Sequence, residues 1–389
     1  MGSISVVFCF DDNFCSLAAG AISSLIMNTS EKNTYDIYIV QHDISEVHKY
    51  QLIKINEKQN ININFIDFDI NKIFDGKKPY IGQHYSVDMY TRLFLHRILP
   101  GLDRVLYLDA DIIINSDIAD LYQIDIGKYS LAAVGLMDFW YMDDPQKLKR
   151  VTFNRKHGFD QYESIYEYLL RHLKLNEKDM VNFFSSGAIL YNLKKAAKVL
   201  DNGLKEIINN KYLWPDMDIL NILFKGDVFK LDRKFCIVPE RVFEFINERG
   251  MLPDIIHYNG PNKPNKSMTR VADISYWESL SNTDFFYSAL DVFLINKFDT
   301  LFGQYLQHKE TINAFNKQID KFLQYPETIR LLNNQIRKQT KLKRKRKLIN
   351  LIIKPLVSQR KYQKLKRDPT HFFNDSKSKF IHFLSKWYF

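Results

Sequence analysis

The sequence predicts an α/β fold: a single Rossmann-like domain with one open, mostly parallel sheet covered by helices, followed by a basic helical tail. Three observations carry that expectation. Apolar β-branched runs alternate with helical patterns from the N-terminus onward, the order of consecutive βαβ units. A chain of 389 residues, 46% hydrophobic and 14% aromatic, can bury one large core with an appendage. Charge is divided unevenly: from residue 328 on, eighteen Lys and Arg face two acids, so the tail carries +16 and residues 1–327 carry −6 of the total +10. Expected boundaries are 1–275 for the α/β domain, 276–334 for a helical extension and 335–389 for the basic tail.

The elements follow in order. Residues 4–10 form a β-branched and aromatic run that stops at Asp11-Asp12-Asn13, a first core strand. Small and apolar residues at helical spacing fill 14–28. A second strand at 35–40 precedes a helix over 45–58 with Ser45 as N-cap, and 62–68 is a third strand. Residues 87–99 read as a helix carrying Tyr90 and Arg92. At 105–108 a buried strand runs into Asp109-Ala110-Asp111 and resumes as an apolar run. Residues 132–136 are another strand, ending near Asp138. Polar and aromatic residues over 143–174 suggest an insertion or lid over the strand ends. A strand at 188–191 follows Ser186-Gly187. Helices are expected over 194–210 and 217–224, the latter with Pro215 just ahead of its start and Asp216 in its first turn. Ile255-Ile256 leads into His257-Tyr-Asn-Gly260-Pro-Asn-Lys263-Pro264.

Parallel sheets bind ligands beyond the carboxyl ends of their strands, and Asp11, Asn13, Asp109 and Asp111 all fall there. Side chains at i and i+2 of an extended chain point the same way, so Asp109 and Asp111 project together. Two carboxylates that close call for a cation or for one shared proton; hard oxygen ligands suit Mg²⁺ or Mn²⁺ held together with a phosphate. The competing reading is a polar strand end capped by a turn. Neither G-x-G-x-x-G nor G-x-x-x-x-G-K-[ST] occurs, so a nucleotide would be held by a metal and side chains rather than by a glycine loop. Cys9, Cys15 and Cys236 are odd in number and lack C-x-x-C spacing, which argues against a disulfide framework and fits a reducing compartment. No apolar stretch approaches the ~18 residues of a membrane span, and 4–10 is too short for a secretory signal.

Six motifs in order give the sequence its resemblance: Phe10-Asp-Asp-Asn13, Tyr90-Thr-Arg92-Leu, Val105-Leu-Tyr-Leu-Asp-Ala-Asp111, Ser186-Gly187, Asp216-Met-Asp218-Ile-Leu-Asn221 and His257-x-x-Gly260-x-x-Lys263-Pro264. Over roughly residues 4–270 the chain resembles the family 8 glycosyltransferases, retaining enzymes of the GT-A type that include bacterial lipopolysaccharide α-galactosyl- and α-glucosyltransferases. The resemblance implies a UDP-sugar donor, with Asp109, Asp111 and His257 holding Mn²⁺ (Mg²⁺ is the alternative). It implies Lys263 and Gly260 at the diphosphate, Asp11 and Asn13 at uracil and ribose, and the Ala110 backbone at the ribose. Arg92, Asp138, Ser186, Gly187 and Asp216 match positions that contact the donor sugar. Asp216, Met217 and Asp138 stand nearest the reaction.

Two departures bear on mechanism. Met217 occupies a position where the family commonly has Gln, and methionine forms no stable glycosyl ester or imidate; Asn265 stands where bacterial members usually have Trp, which bears on acceptor stacking. Ser185 in place of the usual Asn is a milder departure. In the tail, Phe380, Phe383, Leu384 and Trp387 recur at helical spacing among basic residues, a pattern suited to an anionic membrane surface rather than to nucleic acid. The expectation is a peripheral enzyme on the cytoplasmic membrane face that transfers galactose or glucose to a saccharide such as a lipopolysaccharide or another glycolipid. The alternative is a non-catalytic membrane- or nucleic-acid-binding protein on a degenerate transferase fold.

Overall fold

A computed structural model describes residues 3–307 except 83–85, 140–141, 143, 153–157, 261 and 267. Residues 308–389, which include the basic tail, lie outside the described residues. The chain divides into two units after Asn296, and the elements below belong to the first. The strands are β1 (Ile4–Cys9), β2 (Tyr35–Gln41), β3 (Ile61–Asp67), β4 (Arg104–Leu108), β5 (Ile112–Ile114), β6 (Leu131–Gly135), β7 (Phe184–Asn192), β8 (Val228–Leu231) and β9 (Ile255–His257). Seven of them form one sheet in the order β3-β2-β1-β4-β7-β6-β8, and β5 pairs with β9 in a second, two-stranded sheet. The first four strands of that order run parallel, β7 runs antiparallel to β4 and β6, and β8 is parallel to β6. The expected mostly parallel α/β sheet is therefore the one observed.

Helix α1 (Cys15–Asn28) follows β1 and is buried along most of its length. Its small residues let a neighbour approach closely: a Cβ on Gly20 would lie 2.6 Å from the Tyr276 ring of a later helix over Val271–Leu280. Helix α2 (Glu46–Ile53) starts at Ser45, whose hydroxyl accepts from the His48 amide, as the sequence indicated. The expected single helix over 194–210 breaks into α3 (Leu193–Leu200) and α4 (Gly203–Asn209). The break falls at Asp201-Asn202-Gly203, three poor helix formers, with Asp201 drawn aside by His96 and Arg97. Helix α5 (Pro215–Leu223) starts two residues earlier than expected, with Pro215 inside its first turn rather than ahead of it; proline's fixed φ and missing N–H suit that position. Helix α6 is Val271–Leu280, and the expected boundary at 275 falls inside it. Residues 87–99 also differ from expectation, forming a 3₁₀ turn over Val87–Phe94 and a short helix over Leu95–Ile98. Among the described residues no helix is long and apolar enough to cross a membrane.

Candidate active site

Parallel pairing of β1 with β4, Val6 opposite Leu106 and Val7 opposite Tyr107, brings their carboxyl ends side by side. Residues 11–13 and 109–111 thus meet at one edge of the sheet. The Asp109 amide donates to Gly187 O at 2.9 Å, extending the β4–β7 ladder by one bond. The chain then leaves the main sheet, and β5 pairs antiparallel with β9 so that Ile112 faces His257. That register, with Tyr258 N donating to Asp111 O at 2.9 Å, carries a histidine from the far end of the domain to the carboxylate pair.

His257 Nε2 lies 3.3 Å from Asp109 Oδ2 and 3.3 Å from Asp111 Oδ1. Burial disfavours charge on the imidazole, but Asp111 and Asp109 outweigh it and push His257 well above its ordinary range. Burial likewise raises both carboxyls, yet Arg92 and His257 hold Asp109 below its ordinary range, and Lys263 and His257 hold Asp111 below it too. One face of the imidazole is closed by Gly187, where a Cβ would stand 2.3 Å from the His257 Nδ1 and Cε1 atoms. The Phe139 ring lies 5.9 Å from it.

The loop after β9 supplies the second cation. Lys263 Nζ donates to Asp111 Oδ2, and to Tyr258 O at 2.8 Å. Gly260 turns the loop with φ +75°, a conformation glycine adopts without strain. Arg270 braces the loop by donating to Asn262 O at 2.9 Å while pairing with Glu240 and Asp273.

Arg92 is the hub of the other half. Its Nη2 is 2.5 Å from Asp109 Oδ1, its Nη1 is 3.0 Å from Asp216 Oδ2 and donates to Ser186 O at 2.9 Å. In the 3₁₀ segment Val87–Phe94, Arg92 Nε donates to Met89 O at 3.2 Å. The guanidinium also sits 4.4 Å above the Tyr107 ring, whose hydroxyl donates to Asp109 Oδ1 at 2.6 Å. Ser186 Oγ donates to Asp216 Oδ2 at 3.1 Å. Burial raises Asp216, and Asp109 adds to that against Arg92.

Helix α5 is pinned from both sides. Asn221 accepts from Phe184 N at 2.8 Å and donates to Phe184 O and Met217 O, each at 2.9 Å, so one amide ties α5 to the start of β7. Asp218 is fully buried. Its Oδ2 accepts from Tyr168 OH at 2.6 Å and Trp214 N at 3.0 Å, and burial pushes the group up to about 7. Tyr168 belongs to the 143–174 insertion and accepts from Leu213 N at 2.8 Å, so that segment is anchored to α5. Sequence reasoning missed Tyr107, Tyr168 and the reach of Asn221; only Asn221, three residues beyond Asp218 on an amphipathic helix, left a readable signal.

The remaining expected residues are dispersed around this centre. Asp11 caps the turn after β1 by accepting from Phe14 N at 3.2 Å; burial and Asp88 raise it. Asn13 is exposed and Ala110 is buried. Met217 is half-buried on α5. Asp138 Oδ2 pairs with Lys230 Nζ at 2.6 Å. His84, which the sequence places near the turn before Arg92, lies outside the described residues.

The donor set fits a divalent ion. Asp109, Asp111 and His257 each offer a ligand atom within 4.8 Å of the others, and two carboxylates with one imidazole suit Mn²⁺ better than Ca²⁺.

Comparison with known proteins agrees with the fold. A solved structure of the bifunctional glycosyltransferase WbbM matches with a TM-score of 0.62 at 23% identity, covering 75% of this chain and 51% of that one, so the chain spans about half of that protein. The galactosyltransferase LgtC, solved with donor and acceptor sugar analogues, matches with a TM-score of 0.52 at 23% identity, covering 72% and 96%. In sequence, a lipopolysaccharide 1,2-glucosyltransferase of Escherichia coli K12 is 24% identical over 292 residues, 71% of this chain and 76% of that protein. The model of the family described as Glycosyl transferase family 8 matches residues 5–269. With most of the chain matched, sheet and motif order included, this protein belongs to glycosyltransferase family 8.

Proposed function

We propose that the protein is a retaining hexosyltransferase that moves galactose or glucose from a UDP-sugar to a saccharide acceptor, a lipopolysaccharide or another glycolipid. One observation carries the reading: Asp109, Asp111 and His257 converge at the carboxyl ends of β1 and β4, flanked by Lys263 and Arg92. Mn²⁺, with Mg²⁺ as the alternative, would be held by those three residues and would supply Lewis-acid stabilisation of charge on the departing diphosphate. Lys263 adds a fixed positive charge toward the same phosphates, with Gly260 leaving the loop backbone open to close approach. Asp11 and Asn13 take the uracil and ribose, and the Ala110 backbone lines the ribose. Arg92, Asp138, Ser186, Gly187 and Asp216 orient the sugar.

Met217 supplies no nucleophile, and Asp218 has one carboxylate oxygen engaged by Tyr168 and Trp214 in a fully buried position. Both facts favour a front-face reaction, in which the leaving phosphate helps deprotonate the acceptor hydroxyl and configuration is kept. Residues 1–275 would carry the chemistry and 335–389 would bring it to the anionic inner face of the cell membrane. The test is UDP release from a panel of UDP-sugars with and without Mn²⁺. Release that requires the metal and is abolished by Asp109→Asn supports the reading; release undiminished by chelator refutes it.

A further inference from the structure

We infer that Cys236 is a positioning residue for the metal centre, holding the His257 ring and its tautomer through a hydrogen bond from Nδ1–H to the sulfur. The inference rests on the metal reading of Asp109, Asp111 and His257. For Nε2 to present a lone pair to an ion held with Asp109 and Asp111, the ring proton must sit on Nδ1, and that proton needs an acceptor to fix the ring. Nδ1 lies 3.9 Å from Cys236 Sγ, and among the described residues no other acceptor is bonded to it. A carboxylate or carbonyl commonly fills this role in metal sites; here a thiol, a weaker acceptor, stands in that place.

The sulfur is held in register with the ring. Ile237 bridges Ile256 in parallel, Ile237 N donates to Ile255 O at 3.1 Å and His257 N donates to Ile237 O at 2.8 Å. Residue 236 therefore cannot slide relative to 257 without breaking two backbone bonds. Cys236 is wholly buried, and Ser185 Oγ lies 3.9 Å behind its sulfur. Gly187 sets how far the ring can advance, Cys236 sets which nitrogen faces the carboxylates.

A cysteine can also be a small buried hydrophobe and nothing more. The two roles make opposite demands on substitution. Cys236→Val keeps apolar volume and removes the acceptor; Cys236→Ser keeps an acceptor and buries a hydroxyl. The experiment titrates Mn²⁺ into the full chain, with and without UDP, following the EPR signal of free Mn²⁺, alongside thermal melts of the metal-free proteins. Positioning gives Cys236→Val about tenfold weaker Mn²⁺ affinity, the low end for such partners, with Cys236→Ser within about twofold of the unsubstituted chain. Wild-type affinity in Cys236→Val, or equal weakening in both variants, overturns the inference and leaves the metal reading standing. If Cys236→Val does not fold, Cys236→Ala replaces it under the same criteria. Failure of the unsubstituted chain to bind more Mn²⁺ than Asp109→Asn overturns the metal reading, and this inference falls with it.

Discussion

Replacing Gly187 by alanine tests how firmly the His257 imidazole is held against the carboxylate pair. The added Cβ would stand 2.3 Å from Nδ1 and Cε1 and 2.9 Å from Cγ of that ring, where ordinary contact begins near 3.4 Å. The ring must withdraw by the difference, about 1.1 Å. It has little room to do so: its backbone is paired with Ile112, Cys236 lies at its Nδ1 edge, and Nε2 already sits between Asp109 and Asp111. Overpacking of this kind costs about 1–3 kcal/mol, and a displacement of about 1 Å in a positioning group costs about 100-fold in rate. Gly187→Ala is therefore expected to lower stability by about 2 kcal/mol and Mn²⁺-dependent UDP release about 100-fold. The assay is turnover at 25 °C with circular dichroism confirming the fold at that temperature. Wild-type turnover with an unchanged Mn²⁺ requirement would refute the reasoning, because the ring could not then occupy its present place.

Three further outcomes are expected. Arg92→Lys keeps the charge but loses the fork that joins Asp109, Asp216 and Ser186 O; urea unfolding should show a loss of about 2 kcal/mol. Asp218 sits near 7 in the fold because burial raises it, so its favourable contribution is complete below its unfolded value and declines as pH rises toward 7. Between pH 5 and 8 the unsubstituted chain should lose about 2–3 kcal/mol relative to Asp218→Asn, and parallel stability profiles for the two would count against that burial. Deleting residues 335–389 should abolish co-sedimentation with anionic vesicles and spare Mn²⁺-dependent UDP release; vesicle binding by the shortened chain would remove the tail from the membrane reading.

Local chemistry explains what the sequence made legible. The apolar runs of β1 to β4 and the small residues of α1 read directly as a parallel sheet with a helix packed on it. The i, i+2 spacing of Asp109 and Asp111 announced a shared direction, and only the family resemblance tied them to His257 and Lys263. What stayed hidden depended on contacts distant in sequence. Strand β8 is short and half-exposed, with burial weakening toward its start, so it shows neither alternation nor a continuous apolar run. The antiparallel setting of β7 follows from where its connections lead, which no residue of 184–192 encodes by itself. Tyr168 reads as one aromatic among many until Asp218 is found beneath its hydroxyl. The partner of Asp138, Lys230, is a residue on the strand the sequence did not reveal.

Arg92 joins the two halves of the site, and the charge balance gives that link a consequence. Asp109, Asp111 and Asp216 bring three negative charges within reach of Arg92 and Lys263, which bring two positive ones. A proton on His257 closes the balance, in keeping with its raised affinity for one. Under the proposed reading, holding a divalent ion would require His257 to give up that proton and would leave the buried cluster at +1, an unfavourable charge at low dielectric. The donor's diphosphate supplies about two negative charges and offsets it; the same diphosphate without the ion would enter a neutral cluster with nothing to balance it. On that reading ion and donor would each raise the other's affinity, as linkage requires. Because Arg92 holds Asp109 on one side and Asp216 on the other, a change in charge at the proposed ion would be felt where the proposed sugar is oriented, and the two halves could not be tuned separately by substitution at position 92.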